Sequence, residues 1–138
     1  MVTSLRSIAA RAEPITYAAL RMVAGAMLAF HGAQKVLGWH VARATPAVGS
    51  QIWIGGLIEL VGGLLIAAGL FTRPAAFLAA GTMAVAYFQF HWKFALAGGM
   101  WIPTLNKGEL AALYCFVFLF IWARGSGAAS LDQLRRRG

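Results

Sequence analysis

Ionisable side chains interrupt or end the apolar stretches of this 138-residue chain. Those that could exchange protons or bind a polar ligand there are His31, Glu59, His91 and Glu109. Glu59 is the most unusual of them, because it lies inside an apolar stretch, Ile52 to Phe71, that is long enough to cross a membrane. A carboxylate in hydrocarbon is costly and usually faces protein or a water-filled cavity. Histidine and a buried acid are suited to proton exchange.

A wider set of polar residues is predicted to line the same site. The candidate ligand-binding residues are Arg21, His31, Gln34, Lys35, Glu59, His91 and Glu109. Two interpretations of this network stay open: ion pairs that only fix the helix register, or a pocket for a small molecule or redox ligand. No metal site is predicted, because the two histidines come from different helices and form no compact ligand motif.

The composition indicates an integral membrane protein. Hydrophobic residues make up 60% of the chain and charged residues 12%, whereas soluble domains carry about 25% charged residues. We therefore predict an all-α fold, an antiparallel four-helix membrane bundle that forms one domain over residues 1–138. Pro14 is expected near the first turn of the first helix. The predicted spans cover residues 15–37, 52–71, 75–92 and 108–124, and residues 125–138 form a basic cytoplasmic tail.

The basic residues predict the orientation of the chain and its surroundings. Seven of them lie on the side of both termini and of the Thr72-Arg73-Pro74 connection, against four on the other side. The positive-inside rule therefore places both termini in the cytoplasm. The short connection makes the second and third spans antiparallel neighbours. Because the net charge of +8 mostly flanks the apolar stretches, we expect contact with a bilayer containing anionic headgroups, and no nucleic acid.

Glycines accompany Glu59 on its helix. They are Gly55, Gly56, Gly62 and Gly63. Glycines at this spacing let another helix approach closely. At 1.5 Å per residue, Glu59 lies about 10 Å below Ile52, and His31 lies about 9 Å below Leu37. We therefore predict that Glu59 is buried against the first helix, with His31 as its nearest partner and Arg21 as a more distant one.

Several short motifs follow one another between Arg21 and Arg124. They are Arg21-x-x-x-Gly25, His31-Gly32-x-x-Lys35, Trp53-Ile-Gly-Gly-Leu-Ile-Glu59-Leu-Val-Gly-Gly63, Gly69-Leu-Phe-Thr72-Arg73, Phe88-Gln-Phe-His91 and Asn106-Lys-Gly-Glu109-Leu-Ala-Ala-Leu-Tyr114. In this order and spacing they resemble the DoxX family of small bacterial membrane proteins. The resemblance implies a four-helix, multi-pass protein of the bacterial cytoplasmic (inner) membrane. It also implies an association with redox chemistry, which in some relatives is thiosulfate oxidation with electrons passed to quinone.

Two functions are carried forward from the sequence. The first is a membrane subunit of a redox assembly, with a pocket for a quinone or another small molecule in the non-cytoplasmic half. The alternative is a non-catalytic scaffold or partner-binding subunit whose buried ion pairs are structural. The sequence leaves open whether the chain is itself an oxidoreductase. Expected partners are a redox protein and further copies of this chain, and the single Cys115 argues against dithiol chemistry within it.

Overall fold

The regular elements of the chain are all helical in the part that the structure describes. A computed structural model describes residues 2–137, with side chains from residue 5 onward. The α-helices are α1 (Val2–Val36), α2 (Gln51–Ala68), α3 (Thr72–Ala86), α4 (Glu109–Arg124) and α5 (Leu131–Arg135). A π-helical segment, Tyr87–Trp92, continues α3. The prediction of an all-α chain is therefore confirmed for these residues.

The length and polarity of the helices separate α2 from the others. Among the helices in residues 2–137, α2 alone is long and apolar enough, by length and composition, to cross a membrane. The regular part of α3 has 15 residues and α4 has 16, whereas a span needs about 20. The π-helical segment gives α3 its additional length.

Helix α1 begins earlier than predicted. The sequence predicts a start near residue 15, whereas the helix begins at Val2 and has 35 residues, with Pro14 inside it. At 1.5 Å per residue it is about 52 Å long, well beyond the roughly 30 Å of a hydrocarbon core. The added turns are rich in alanine and arginine, which favour helix in water as well. The predicted start was wrong because an apolar stretch indicates where the chain crosses the membrane, whereas the helix itself can continue beyond that stretch.

Glycines bring α1 and α2 into backbone contact. A Cβ atom built on Gly25 would lie 2.7 Å from the Gly63 carbonyl oxygen, and one built on Gly32 would lie 2.5 Å from that of Gly56. Real side chains do not tolerate such distances, so only glycine permits this approach. The predicted glycine face is divided between two neighbours. Gly56 and Gly63 contact α1, while the nearest atoms to a Cβ on Gly55 and Gly62 belong to α3.

The connection between α2 and α3 lies three residues before the predicted one. Gly69 ends α2 in the left-handed conformation, with φ of 68°. Thr72, Arg73 and Pro74 form the first turn of α3 rather than a loop. Proline is tolerated there because its missing N–H would have no helical partner. The carboxylate of Asp132 accepts hydrogen bonds from the backbone N–H groups of Phe71 and Thr72, which stabilises this helix start.

Residues 125–135 fold back onto this end of the helices, which we call the tail end. Tyr17 donates a hydrogen bond to the Gly125 carbonyl. The fully buried Arg21 guanidinium donates to the carbonyls of Ser126 and Ala129. Ser130 caps α5 by accepting a hydrogen bond from the Gln133 N–H at 3.3 Å, as its capping-box spacing suggests. The basic tail is therefore docked on the helices.

Candidate functional site

An ion pair joins α1 to α2 at the opposite end of the helices. The Lys35 ammonium lies 2.6 Å from Glu59 Oε1 and 2.7 Å from Oε2, and therefore bonds both carboxylate oxygens. The Glu59 residue is only 1% exposed. Gly56, one turn before Glu59, makes room for the lysine, because a Cβ there would lie 2.7 Å from the Lys35 Cβ. Burial of a carboxylate is tolerated here because its charge is paired and hydrogen-bonded.

The partner of Glu59 differs from the predicted one. Burial of Glu59 against the first helix is confirmed. The expectation that His31 would be its nearest partner is wrong, because Lys35, one turn further along α1, bonds the carboxylate. The helical rise per residue predicts how deep a residue's backbone lies, but not how far its side chain extends. The lysine side chain is longer than that of histidine and reaches back along the helix to Glu59. His31 lines the cavity beside the pair instead.

A cavity of about 260 Å³ lies beside this ion pair. Its polar lining residues are His31, Lys35, Glu59, His91, Lys107 and Tyr114. Leu28, Met83 and Leu110 supply apolar walls. The volume lies just below the roughly 300–1,000 Å³ of sites that bury a drug-sized molecule. It therefore suits one ring of a ligand rather than a whole large molecule.

Tyr114 brings a buried hydroxyl to the cavity. The residue is 6% exposed, and its hydroxyl has no hydrogen-bond partner within residues 2–137. A buried polar group without a partner costs about 1–3 kcal/mol. Such groups in native structures need an explanation, and a bound water or ligand is one of them. The hydroxyl is therefore available to a molecule in the cavity.

A second cavity, of about 390 Å³, borders the same ion pair. Lys35, Glu59, Ala86 and His91 line both cavities. The second also contains Arg43 and Gln51. Both cavities thus have more basic side chains than acidic ones. A ligand in either cavity would meet hydrogen-bond donors more often than acceptors.

His91 is held by the loop before α4. Its Nδ1 lies 3.2 Å from the Asn106 carbonyl oxygen. Because a carbonyl oxygen can only accept, a hydrogen bond between these two atoms requires a proton on Nδ1. In the neutral ring, Nε2 is then an acceptor. The Asn106 side chain donates to the Met100 carbonyl and accepts from the Gly108 N–H. These contacts fix the loop that carries Lys107.

The structure brings four of the seven predicted ligand-binding residues together and places the other three elsewhere. His31, Lys35, Glu59 and His91 line one cavity, and their role in binding a ligand stays a prediction. Arg21 lies at the tail end, where it bonds backbone carbonyls. Gln34 and Glu109 do not line the cavity, and Glu109 is exposed in the first turn of α4. An acid there interacts favourably with the helix dipole, which gives it a local structural role.

Sequence reasoning missed Tyr114 and Lys107. Tyr114 was seen only as the end of a motif, although a hydroxyl inside an apolar stretch is a usable signal. Lys107 entered only through the same motif and through the charge of one membrane side. Among the described residues, no three His, Cys, Asp or Glu side chains group closely enough to hold a metal ion. The cavity therefore contains proton donors and acceptors rather than a metal-ligand set.

Comparison with known proteins gives the family. A protein-family model described as DoxX matches residues 16–92. The chain belongs to the DoxX family. The match includes Lys35, Glu59 and His91 of this DoxX protein, and membership makes it a membrane protein. An uncharacterized protein of Haemophilus influenzae is 41% identical over 124 residues, which cover 88% of this chain and 91% of that protein. No solved structure matches the chain.

Proposed function

We propose that this DoxX protein is a membrane subunit of a redox assembly and binds the ring of a quinone in the cavity beside Lys35 and Glu59. In this proposal α1 to α4 form an antiparallel bundle in the bacterial cytoplasmic membrane, with both termini in the cytoplasm. The excess of basic residues at the tail end supports that orientation. The cavity then lies in the non-cytoplasmic half.

The Tyr114 hydroxyl, which has no partner among the described residues, carries the proposal. It is a buried donor in a cavity that also contains Lys35 and Lys107. Quinone carbonyl oxygens are acceptors, and the donors on α1 and α4 would hold the ring among the apolar residues Leu28, Met83 and Leu110. The Lys35 ammonium has three N–H groups. Two of them suffice for the two Glu59 oxygens, which leaves one for a ligand.

Proton exchange is the chemistry that these residues supply. Reduction of a quinone takes up electrons and protons, and the electrons would come from a partner protein of the assembly. Lys35, bonded to Glu59, is placed to stabilise negative charge that develops on a carbonyl oxygen. His91, with one nitrogen directed to the Asn106 carbonyl, can exchange a proton through the other. The chain thus provides binding and proton transfer.

One observation favours a second function, a non-catalytic scaffold. The Lys35 stem fills the space that Gly56 leaves open, and both Glu59 oxygens are bonded. An ion pair so well fitted could serve only to fix the register of α1 on α2. In that case an apolar pair of similar volume would replace it without loss of function.

The replacement of this ion pair separates the two functions. We would titrate a short-chain quinone into detergent-purified protein carrying Lys35→Met together with Glu59→Leu. The redox proposal predicts a folded variant without saturable quinone binding. The matched control replaces the ion pair Arg124–Glu13 at the tail end by Arg124→Met with Glu13→Leu, and should bind as wild type does. Equal binding by all three proteins, or none by wild type, would contradict the proposal.

A further inference from the structure

The tail end contains a separate, strongly basic cavity. It has a volume of about 400 Å³ and lies between the first turn of α3 and α5. Its polar lining residues are Thr72, Arg73, Ser126, Asp132, Arg135 and Arg136. We infer that this cavity binds the phosphate group of an anionic phospholipid. The inference does not depend on the proposed quinone site, which lies at the other end of the helices.

The charges of the cavity favour an anionic ligand. Arg73, Arg135 and Arg136 oppose a single carboxylate, that of Asp132, so that two positive charges are in excess. The Asp132 oxygens already accept three hydrogen bonds, from the Phe71 N–H and from the N–H and hydroxyl of Thr72. The ion pairs found within residues 2–137, Lys35–Glu59 and Arg124–Glu13, involve none of these arginines. The guanidinium groups of Arg73, Arg135 and Arg136 are therefore available to a phosphate.

Two of the arginines are placed by their surroundings. The Arg135 guanidinium carbon lies 5.1 Å from the centre of the Phe71 ring, a geometry that favours a cation over the aromatic face. The Arg73 guanidinium lies against Gly125, where a Cβ would be 3.2 Å from its Nε. Arginine forks bind phosphate oxygens in pairs of hydrogen bonds. The cavity thus presents several donors in one place.

An apolar groove adjoins the basic cavity and identifies the ligand as a lipid. The groove, of about 410 Å³, lies between α2 and α3, and Phe71 and Pro74 line both the groove and the cavity. Its other lining residues include Leu57, Val61, Leu65 and Leu78. From Leu65 to Leu57 it follows α2 for about 12 Å at 1.5 Å per residue. A phosphate in the cavity would therefore place an acyl chain in this groove.

The test compares lipids that share acyl chains and differ in headgroup charge. Full-length protein in a neutral detergent would be titrated with phosphatidylglycerol, with phosphatidylcholine and with inorganic phosphate, and bound lipid counted by native mass spectrometry. We expect saturable binding of phosphatidylglycerol, at least about tenfold tighter than that of phosphatidylcholine, because each basic residue contributes about 1 kcal/mol of attraction to anionic lipid. Inorganic phosphate should not compete at matched concentration.

The variants separate this cavity from the general basic charge. Arg73→Gln with Arg136→Gln should weaken phosphatidylglycerol binding about tenfold or more. Arg6→Gln with Arg11→Gln removes the same charge from α1 and should leave the affinity within about twofold. Should the first pair misfold, Arg136→Gln alone, at an exposed residue directly after α5, provides the same comparison. Val61→Trp, which fills the groove, should abolish the advantage of long-chain over short-chain phosphatidylglycerol.

Three results would overturn the inference. Equal affinity for phosphatidylglycerol and phosphatidylcholine would show that the arginines do not distinguish an anionic headgroup from a neutral one. Full competition by inorganic phosphate would indicate a free-anion site with no lipid contact. An equal loss of affinity in the Arg6/Arg11 control would show that net charge, rather than this cavity, attracts the lipid.

Discussion

Tyr114→Phe should affect the stability of the protein and its affinity for a quinone in opposite directions. The substitution keeps the ring that packs against Phe118, whose centre lies 5.3 Å away. It removes only a hydroxyl that has no partner within residues 2–137. An unsatisfied buried group costs about 1–3 kcal/mol. Because the hydroxyl borders a cavity that can admit water, we expect a gain in unfolding free energy near the low end, about 1 kcal/mol.

The same change should weaken ligand binding. A hydrogen bond contributes about 0.5–1.5 kcal/mol net, so the dissociation constant of a short-chain quinone should rise about two- to tenfold. Unfolding by urea in detergent micelles would give the stability, and titration with the quinone would give the affinity. Tyr87→Phe is the matched control, because the Tyr87 hydroxyl donates to the Trp101 carbonyl at 2.6 Å. It should lower the stability instead.

Two results would refute this reasoning. A loss of about 1 kcal/mol or more in Tyr114→Phe would show that the hydroxyl bonds another part of the protein. An unchanged quinone affinity would show that the hydroxyl does not contact the ligand. The opposite signs of the two effects separate a binding hydroxyl from one that only supports the fold.

Three further predictions concern the helix contacts and the tail end. Gly32→Ala should lower the unfolding free energy by about 2 kcal/mol or more, because its Cβ would lie 2.5 Å from the Gly56 carbonyl oxygen. Gly55→Ala is the control, because its Cβ would lie 3.8 Å from Thr82. This change should be neutral or should raise the unfolding free energy by up to about 1 kcal/mol. Arg21→Met should release the tail, measured as faster proteolysis after Gly125, because the carbonyls of Ser126 and Ala129 lose their donor. Asp132→Asn should lower stability at neutral pH, and the difference from wild type should shrink as the pH falls below about 4, the unfolded-state pKa, and be lost below the folded-state pKa.

The sign of the pH effect follows from the surroundings of Asp132. Burial alone would raise the pKa of this carboxyl, but hydrogen bonds from Thr72 and Phe71 and the charge of Arg135 lower it below its ordinary value. A depressed pKa in the folded state stabilises the protein above the unfolded-state pKa, and this contribution is lost as pH falls through the folded-state pKa. A difference between wild type and Asp132→Asn that does not shrink as the pH falls below about 4 would contradict this explanation.

Some features of the fold follow from local sequence. The glycines around Glu59 predicted its burial against α1, and the short connection predicted that α2 and α3 are neighbours. The cap of α5 by Ser130 agrees with the spacing from Ser130 to Gln133. Each of these depends on residues within one helix or one turn, where steric and hydrogen-bonding rules act over a few positions.

Other features depend on contacts between distant parts of the chain. Arg21 bonds carbonyls more than 100 residues away, and no local pattern reveals that the tail folds back to accept them. Lys35 rather than His31 reaches Glu59 because the rotation of α1 is set by the contact of Gly32 with Gly56. Tyr114 becomes a site residue only once α4 packs beside α3. The depth of residues along both helices and the buried face of α2 could be estimated from sequence, but the rotation of α1 about its axis could not.

Photo-cross-linking with an azide-bearing quinone tests the central proposal most directly. The purified protein would be illuminated with the probe in detergent and the labelled peptides identified by mass spectrometry. The proposed site predicts labelling near Tyr114 and Lys107, which line the cavity, and loss of the label when unmodified quinone is added. Labelling spread over the exposed apolar faces, without competition by quinone, would contradict the proposal.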